Sequence, residues 1–162
     1  MQVHGLIHKL PKEIKTVIAI FIIVLSVGFY GGVSFINKTT SMQPSGIETQ
    51  YLGNENNENA EIMKFKKSEH EVLTIIHNHI LSMSVIFFLL SLILSTTSIN
   101  KQIKHFLMFE PFVSVVLTFG GIYFLWKGFI WVKYVIMFSG ILMTLSYTLA
   151  VIIIIQQLFA KK

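Results

Sequence analysis

Residues 72–97, VLTIIHNHILSMSVIFFLLSLILSTT, decide the fold class. The segment holds no Asp, Glu, Lys or Arg, and it is longer than the ~20 residues that a helix needs to cross about 30 Å of hydrocarbon. It does hold His77 and His79, and ionisable side chains at membrane depth are rare and often functional. The segment therefore predicts a membrane-spanning helix with two candidate functional residues.

Three further apolar segments, 14–36, 106–126 and 130–158, meet the same length requirement. Only 13% of the residues are charged and 53% are hydrophobic, whereas about 25% charged residues are usual in soluble domains. The apolar runs do not alternate with polar residues as the strands of a membrane β-barrel do. We predict an all-α, up-down-up-down, four-helix transmembrane bundle.

The prediction treats residues 1–162 as a single membrane domain. Its long polar connection is an extracytoplasmic loop at residues 37–71, with a turn at Pro44-Ser45-Gly46. The first apolar segment exceeds the 7–15 residues typical of a signal-peptide core, so we expect a retained helix.

The net charge of +5 falls on one side of this topology. Seven lysines accompany both termini and the short second loop, where only Glu13 and Glu110 oppose them, and the charges of the other side cancel. The positive-inside rule then predicts a multi-pass membrane protein with both termini in the cytoplasm. Because the chain has no arginine, bidentate contacts to phosphates or bases are unavailable, and we expect lipid rather than nucleic acid as partner.

The two central histidines point to different sides of their helix, because two residues correspond to about 200° around the axis. His79 shares its face with apolar residues and is expected to face lipid or another subunit. His77 is expected to face inward, on a polar stripe along the second helix. The stripe comprises His70, Thr74, His77, Ser84, Ser91, Ser95 and Ser98.

Three interpretations of His77 stay open. The serines and threonines of the stripe can bond to their own backbone while the histidine reaches toward headgroups. His77 can instead be an axial ligand of haem b, which neutral imidazole commonly binds. The other three predicted helices contain no histidine, so the second ligand would be His79 across an interface with a partner subunit or second copy, or Met137 of the fourth helix.

The third interpretation is a metal or proton site at the outer mouth of the bundle, formed by His70, Glu71 and His77. His70 and His77 lie two turns apart, about 10 Å along the axis, which is too far to share one ion without a loop carboxylate such as Glu69 or Glu61. Lys133 of the fourth helix is expected at a similar depth. A proton relay tolerates longer gaps, which water can bridge.

Glu110 is expected at the start of the third helix, because Pro111 suits a first helical position and the helix dipole favours a carboxylate there. In this interpretation it lies at the interface, near Lys101 or Lys104. The alternative is the inner end of a proton path whose outer end is His77.

One face of the third helix and one face of the fourth carry small and polar residues that are expected to point inward. We interpret them as packing seams rather than a substrate path. These residues are Glu110, Ser114 and Gly121 of the third helix and Ser139, Met143, Ser146 and Ala150 of the fourth.

Enzyme activity of the chain alone is not expected. The sequence has no aspartate or cysteine, no G-x-S-x-G element and no glycine-rich phosphate loop.

Two short pieces carry a resemblance to known proteins. They are Pro44-Ser-Gly-Ile-Glu-x-x-Tyr-x-Gly-Asn-Glu55 and His77-Asn-His-Ile-Leu-Ser. With them the chain resembles uncharacterised bacterial four-helix membrane proteins that carry His-x-His at the start of the second helix, a family with no settled activity. Its overall shape is also similar to small cytochrome b-like anchors. It departs from them because none of its other predicted helices carries a histidine that could face His77 or His79.

The function expected from the sequence is an accessory or anchor subunit of a membrane redox or respiratory assembly, with haem or metal at His77. One alternative is a small transporter or a proton- or metal-conducting protein that uses the polar stripe. The other is a structural membrane protein with no chemical site.

Overall fold

Helices account for all regular structure in the computed structural model, which describes residues 5–55, 57, 60 and 62–160. Four stretches are long and apolar enough to cross a membrane. The first span is α1 (Lys12–Thr40), the second is α3 (Glu69–Ser95), the third is Lys101–Trp126 and the fourth is α6 (Val132–Phe159). The predicted all-α transmembrane bundle is confirmed.

The third span is not one regular α-helix. It consists of α4 (Lys101–Val115), a π-helical segment (Val116–Gly120) and α5 (Gly121–Trp126). Pro111 lies inside α4, where its missing N–H frees a carbonyl from the helical ladder. Such interruptions make a helix locally adaptable, and π-helical segments are often found at functional sites.

One end of the bundle, here called the termini face, holds both ends of the described chain and the loop between α3 and α4. A short 3-10 helix, Leu6–Lys9, lies under that loop, with the Ile7 N–H donating to the Thr96 carbonyl at 3.2 Å. The Ser98 N–H donates to Oε1 of Gln157 near the end of α6, at 2.6 Å.

The opposite end, the loop face, is covered by the polar connection. The predicted turn at Pro44 is wrong, because Pro44 begins α2 (Pro44–Leu52), a position that suits its fixed backbone angle. An ion pair of 2.6 Å joins Glu48 of α2 to Lys133 of α6, and Trp126 Nε1 donates to the Lys67 carbonyl at 2.8 Å. The connection is therefore folded against the ends of the spans.

The interior is formed mainly by α3, the third span and α6. The first span packs along one edge, where the Phe29 ring stacks on Tyr147 with centroids 3.8 Å apart and Ser26 Oγ lies 3.1 Å from the Tyr147 hydroxyl. Most of its other apolar side chains are exposed. In a membrane protein such a surface is the one that lipid covers.

Candidate functional site

The buried face of α3 is apolar rather than the predicted polar stripe. Its buried residues are Val72, Phe87, Leu90, Ser91 and Leu94. His77 is exposed, so the prediction that it points inward is wrong. Among the stripe residues of α3, only Ser91 is buried, and its hydroxyl donates to the Met108 carbonyl at 3.2 Å. The side of α3 that packs against the neighbouring helices is the apolar one. Most of the stripe residues therefore stay exposed or partly exposed.

His79 contacts its own chain rather than only lipid or another subunit. Its ring stacks on Phe119 of the π-helical segment, with centroids 4.7 Å apart, although the residue stays exposed. Nδ1 lies 2.7 Å from the Ile75 carbonyl, which can only accept, so Nδ1 donates and the neutral ring keeps its lone pair on Nε2. His79 is therefore exposed, as an outward position requires, and its contact with Phe119 is one that the sequence did not predict.

The predicted metal ligands are not gathered into one cluster. Among the residues that the structure describes, no group of three His, Asp or Glu side chains can hold a metal ion, and Glu61 lies outside them. His70 is exposed, and Lys133 is paired with Glu48 instead. Met137 packs against the hydrophobic core.

The third span contains one histidine, contrary to the prediction that only the second helix has any. His105 enters the span because α4 begins at Lys101, five residues before the predicted start. It lies near the termini face, whereas His77 lies near the loop face, so the two rings cannot share a haem. His105 therefore does not supply a second haem ligand to His77.

Glu110 lies well inside the third span instead of at its start. The helix begins after Asn100, whose Oδ1 accepts from the Gln102 N–H at 2.8 Å, and Glu110 follows more than two turns later. Its exposed fraction is only 9%. The prediction that this carboxylate lies at the membrane interface is therefore wrong. The reason is that α4 begins closer to the termini face than predicted, and α6 packs against α4.

The two oxygens of Glu110 have different surroundings. Oε1 accepts a hydrogen bond from the Ser114 hydroxyl one turn later. Oε2 is buried without a hydrogen-bond partner, and so is Ser146 Oγ on α6. Buried polar atoms are nearly always satisfied, so each of these two requires an explanation.

The neighbouring turns fix how the third span and α6 align. The Ser139 hydroxyl donates to the Val135 carbonyl at 2.8 Å, so Ser139 accepts from the Thr118 hydroxyl at 2.7 Å. Gly121 approaches Ile136 so closely that a Cβ there would lie 2.9 Å from Ile136 Cγ1. Continued along this antiparallel pair, the register places Glu110 about level with Ser146.

We call these five polar residues the Glu110 seam: Glu110, Ser114 and Thr118 of the third span and Ser139 and Ser146 of α6. All five are buried, as are Gly121, Met143 and Ala150, so the predicted inward faces are confirmed. Sequence reasoning found the faces but not the unsatisfied carboxylate oxygen, because that depends on which side chains meet across the seam. Chemically, the seam offers a protonatable group beside hydroxyls that both donate and accept.

Comparison with known proteins supports the membrane architecture. Residues 41–162 match the family Aq_1264_TM, described as a transmembrane helical domain. No curated protein and no solved structure matches the chain. The matched region begins directly after α1 and covers the remaining three spans and α2. The protein is a polytopic membrane protein, and it belongs to the Aq_1264_TM family of transmembrane helical domains.

Proposed function

We propose that this protein is a small proton-linked transporter or proton conductor of the membrane, with the carboxyl group of Glu110 as its proton-binding group. The proposal follows the transporter alternative raised from the sequence, but it moves the working group from the His77 stripe to the Glu110 seam. The observation that carries it is the buried, unpartnered Oε2 of Glu110 inside a membrane-spanning helix.

A charged carboxylate at this depth is expensive, since burying an ionised side chain in a bilayer costs about 2.5–3.5 kcal/mol or more. Binding a proton removes that charge. The resulting O–H needs an acceptor, and the Ser146 hydroxyl is available at about the same level on α6. A small shift, or one bridging water, would satisfy both orphaned atoms.

Within the part of the chain that the structure describes, Glu110 contacts the Ser114 hydroxyl, and neither of the two salt bridges includes it. Lys104, earlier on the same helix as Glu110, directs Nζ to the carbonyls of Ser95 and Thr97, at 3.0 and 2.5 Å. A proton is therefore the counter-charge that this site is suited to take.

The test is proton flux into vesicles that contain the purified full chain and a pH-sensitive dye, driven by a potassium diffusion potential. Glu110→Gln keeps the size of the side chain and an oxygen that accepts from Ser114. We expect its flux to fall to that of empty vesicles. The matched control is Glu13→Gln, which removes an exposed carboxylate from α1 and should keep full flux.

Equal flux through the wild-type chain and Glu110→Gln would overturn the assignment of Glu110. Wild-type flux no greater than that of empty vesicles would overturn the proposed function itself.

The redox-anchor hypothesis, with haem or metal at His77, stays a prediction. The second ligand would be His79 across an interface with a partner subunit or second copy, or Met137, which is partly buried against the hydrophobic core. Visible absorption tests it: a Soret band in the purified protein would support it, and its loss in His77→Ala would assign the ligand.

We also propose that the protein resides in a bacterial cytoplasmic membrane with its termini face toward the cytoplasm. Seven of the thirteen lysines belong to that face and only Glu13 and Glu110 oppose them, whereas the six lysines of the other side are balanced by six glutamates. The described lysines of the termini face are Lys9, Lys12, Lys15, Lys101 and Lys104.

A further inference from the structure

We propose that a groove at the termini face binds the phosphate headgroup of an anionic phospholipid, a role independent of the Glu110 proposal. The groove has a volume of about 520 Å³ and lies between the end of α3 and the first turns of α4. Its lining residues are Ser95, Lys101, Lys104, His105, Met108 and Phe109.

The charge of the groove favours an anion. Three of its six lining residues are basic and none is acidic. The start of α4 adds to this, because a helix N-terminus carries partial positive charge and the first turn of α4 has no acidic residue. Placing Lys101 at such a position is unfavourable unless an anion lies nearby.

The basic side chains have separate roles. Lys104 is buried and links α4 to the carbonyls at the end of α3, so it holds the floor of the groove in place. Lys101 and His105 are exposed and lie one turn apart on α4. They are the groups that can contact a phosphate oxygen from the solvent side.

The shape of the groove favours a lipid over free phosphate. Phe109 follows Lys101 by eight residues, which is about 12 Å further into the membrane along the helix. Phe109 is 65% exposed, and its ring lies edge-on to His105 with centroids 6.2 Å apart. The groove is thus basic at the surface and apolar below, as a headgroup and its acyl chain require. Basic pockets between membrane helices are known to bind such headgroups.

The experiment measures lipid retention by native mass spectrometry of the full chain, taken from bilayers of equal phosphatidylglycerol and phosphatidylcholine. We expect the wild-type chain to retain phosphatidylglycerol preferentially. Lys101→Gln/His105→Gln should reduce that preference by about fivefold or more, the effect expected for one lysine near an anionic lipid. Lys9→Gln/Lys12→Gln changes two exposed residues of the same face outside the groove and should keep the preference.

Circular dichroism of each variant establishes that it is folded. Equal retention of the two lipids by the wild-type chain, or an unchanged preference in Lys101→Gln/His105→Gln, would overturn the proposal. Displacement of phosphatidylglycerol by millimolar inorganic phosphate would also overturn it, because the apolar half of the groove would then contribute nothing.

Discussion

At the scale of single residues, Gly46 is required by the tight connection between α1 and α2. Ser41 and Met42 have positive φ angles of 52° and 50°, and they turn the chain back over the end of α1. As a result, a Cβ at position 46 would lie 1.8 Å from the carbonyl oxygen of Thr40. Backbone atoms cannot move aside as a flexible side chain does.

We therefore predict that Gly46→Ala lowers the stability of the protein by about 1–3 kcal/mol, the usual effect of overpacking. The measurement is the thermal unfolding midpoint in detergent. Gly28→Ala is the matched control, since a Cβ there meets nothing within 4 Å and alanine favours a helix over glycine by about 0.5–1 kcal/mol. Equal melting points for the two variants would show that the α1–α2 contact is wrong.

The angle between the two histidines could be predicted from the sequence, but the side of α3 that is buried could not. Helical geometry correctly separates His77 and His79, because the angle between them depends only on the helix. Which side of α3 is covered depends on where the neighbouring helices pack, and no pattern within α3 gives that. The polar stripe predicted that His77 points inward, whereas both histidines are exposed and the ring of His79 stacks on Phe119.

At the scale of elements, the spans themselves were predictable because each needs a long apolar run. The start of the third span was not predictable in this way, because α4 begins with the charged residues Lys101 and Lys104, which precede the apolar run. Lys104 is buried by bonding to the end of α3, and Lys101 stays at the surface. This extension is what places Glu110 inside the bundle rather than at its edge.

We predict that Thr118→Val destabilises the protein by about 0.5–2 kcal/mol, the range measured for hydrogen bonds between membrane helices. The change keeps the shape of the side chain but removes the hydroxyl that donates to Ser139 across the seam. The measurement is the unfolding free energy in a double-mutant cycle with Ser139→Ala.

The control for that cycle is Thr144→Val, because the Thr144 hydroxyl donates within its own helix, to the Gly140 carbonyl at 2.9 Å. It should show no coupling to Ser139→Ala. A coupling energy of zero between positions 118 and 139 would contradict the register on which the Glu110 seam depends.

At the scale of the whole molecule, the four spans place both ends of the described chain on one side, and the net positive charge of that side predicts that it faces the cytoplasm. A fluorescent protein fused after residue 162 should fluoresce in bacterial cells, since it would lie in the cytoplasm. Alkaline phosphatase inserted after Asn54 should be active, because the loop face would be outside. The reverse pattern in both fusions would show that the orientation is inverted.

The central claim for the whole molecule is that Glu110 binds and releases a proton inside the bundle. The most direct measurement is the infrared difference spectrum of the reconstituted protein between high and low pH, in the carboxylic acid C=O region. We predict a band that grows as pH falls and is missing in Glu110→Gln but retained in Glu13→Gln. Identical difference spectra for the wild-type protein and Glu110→Gln would contradict the account.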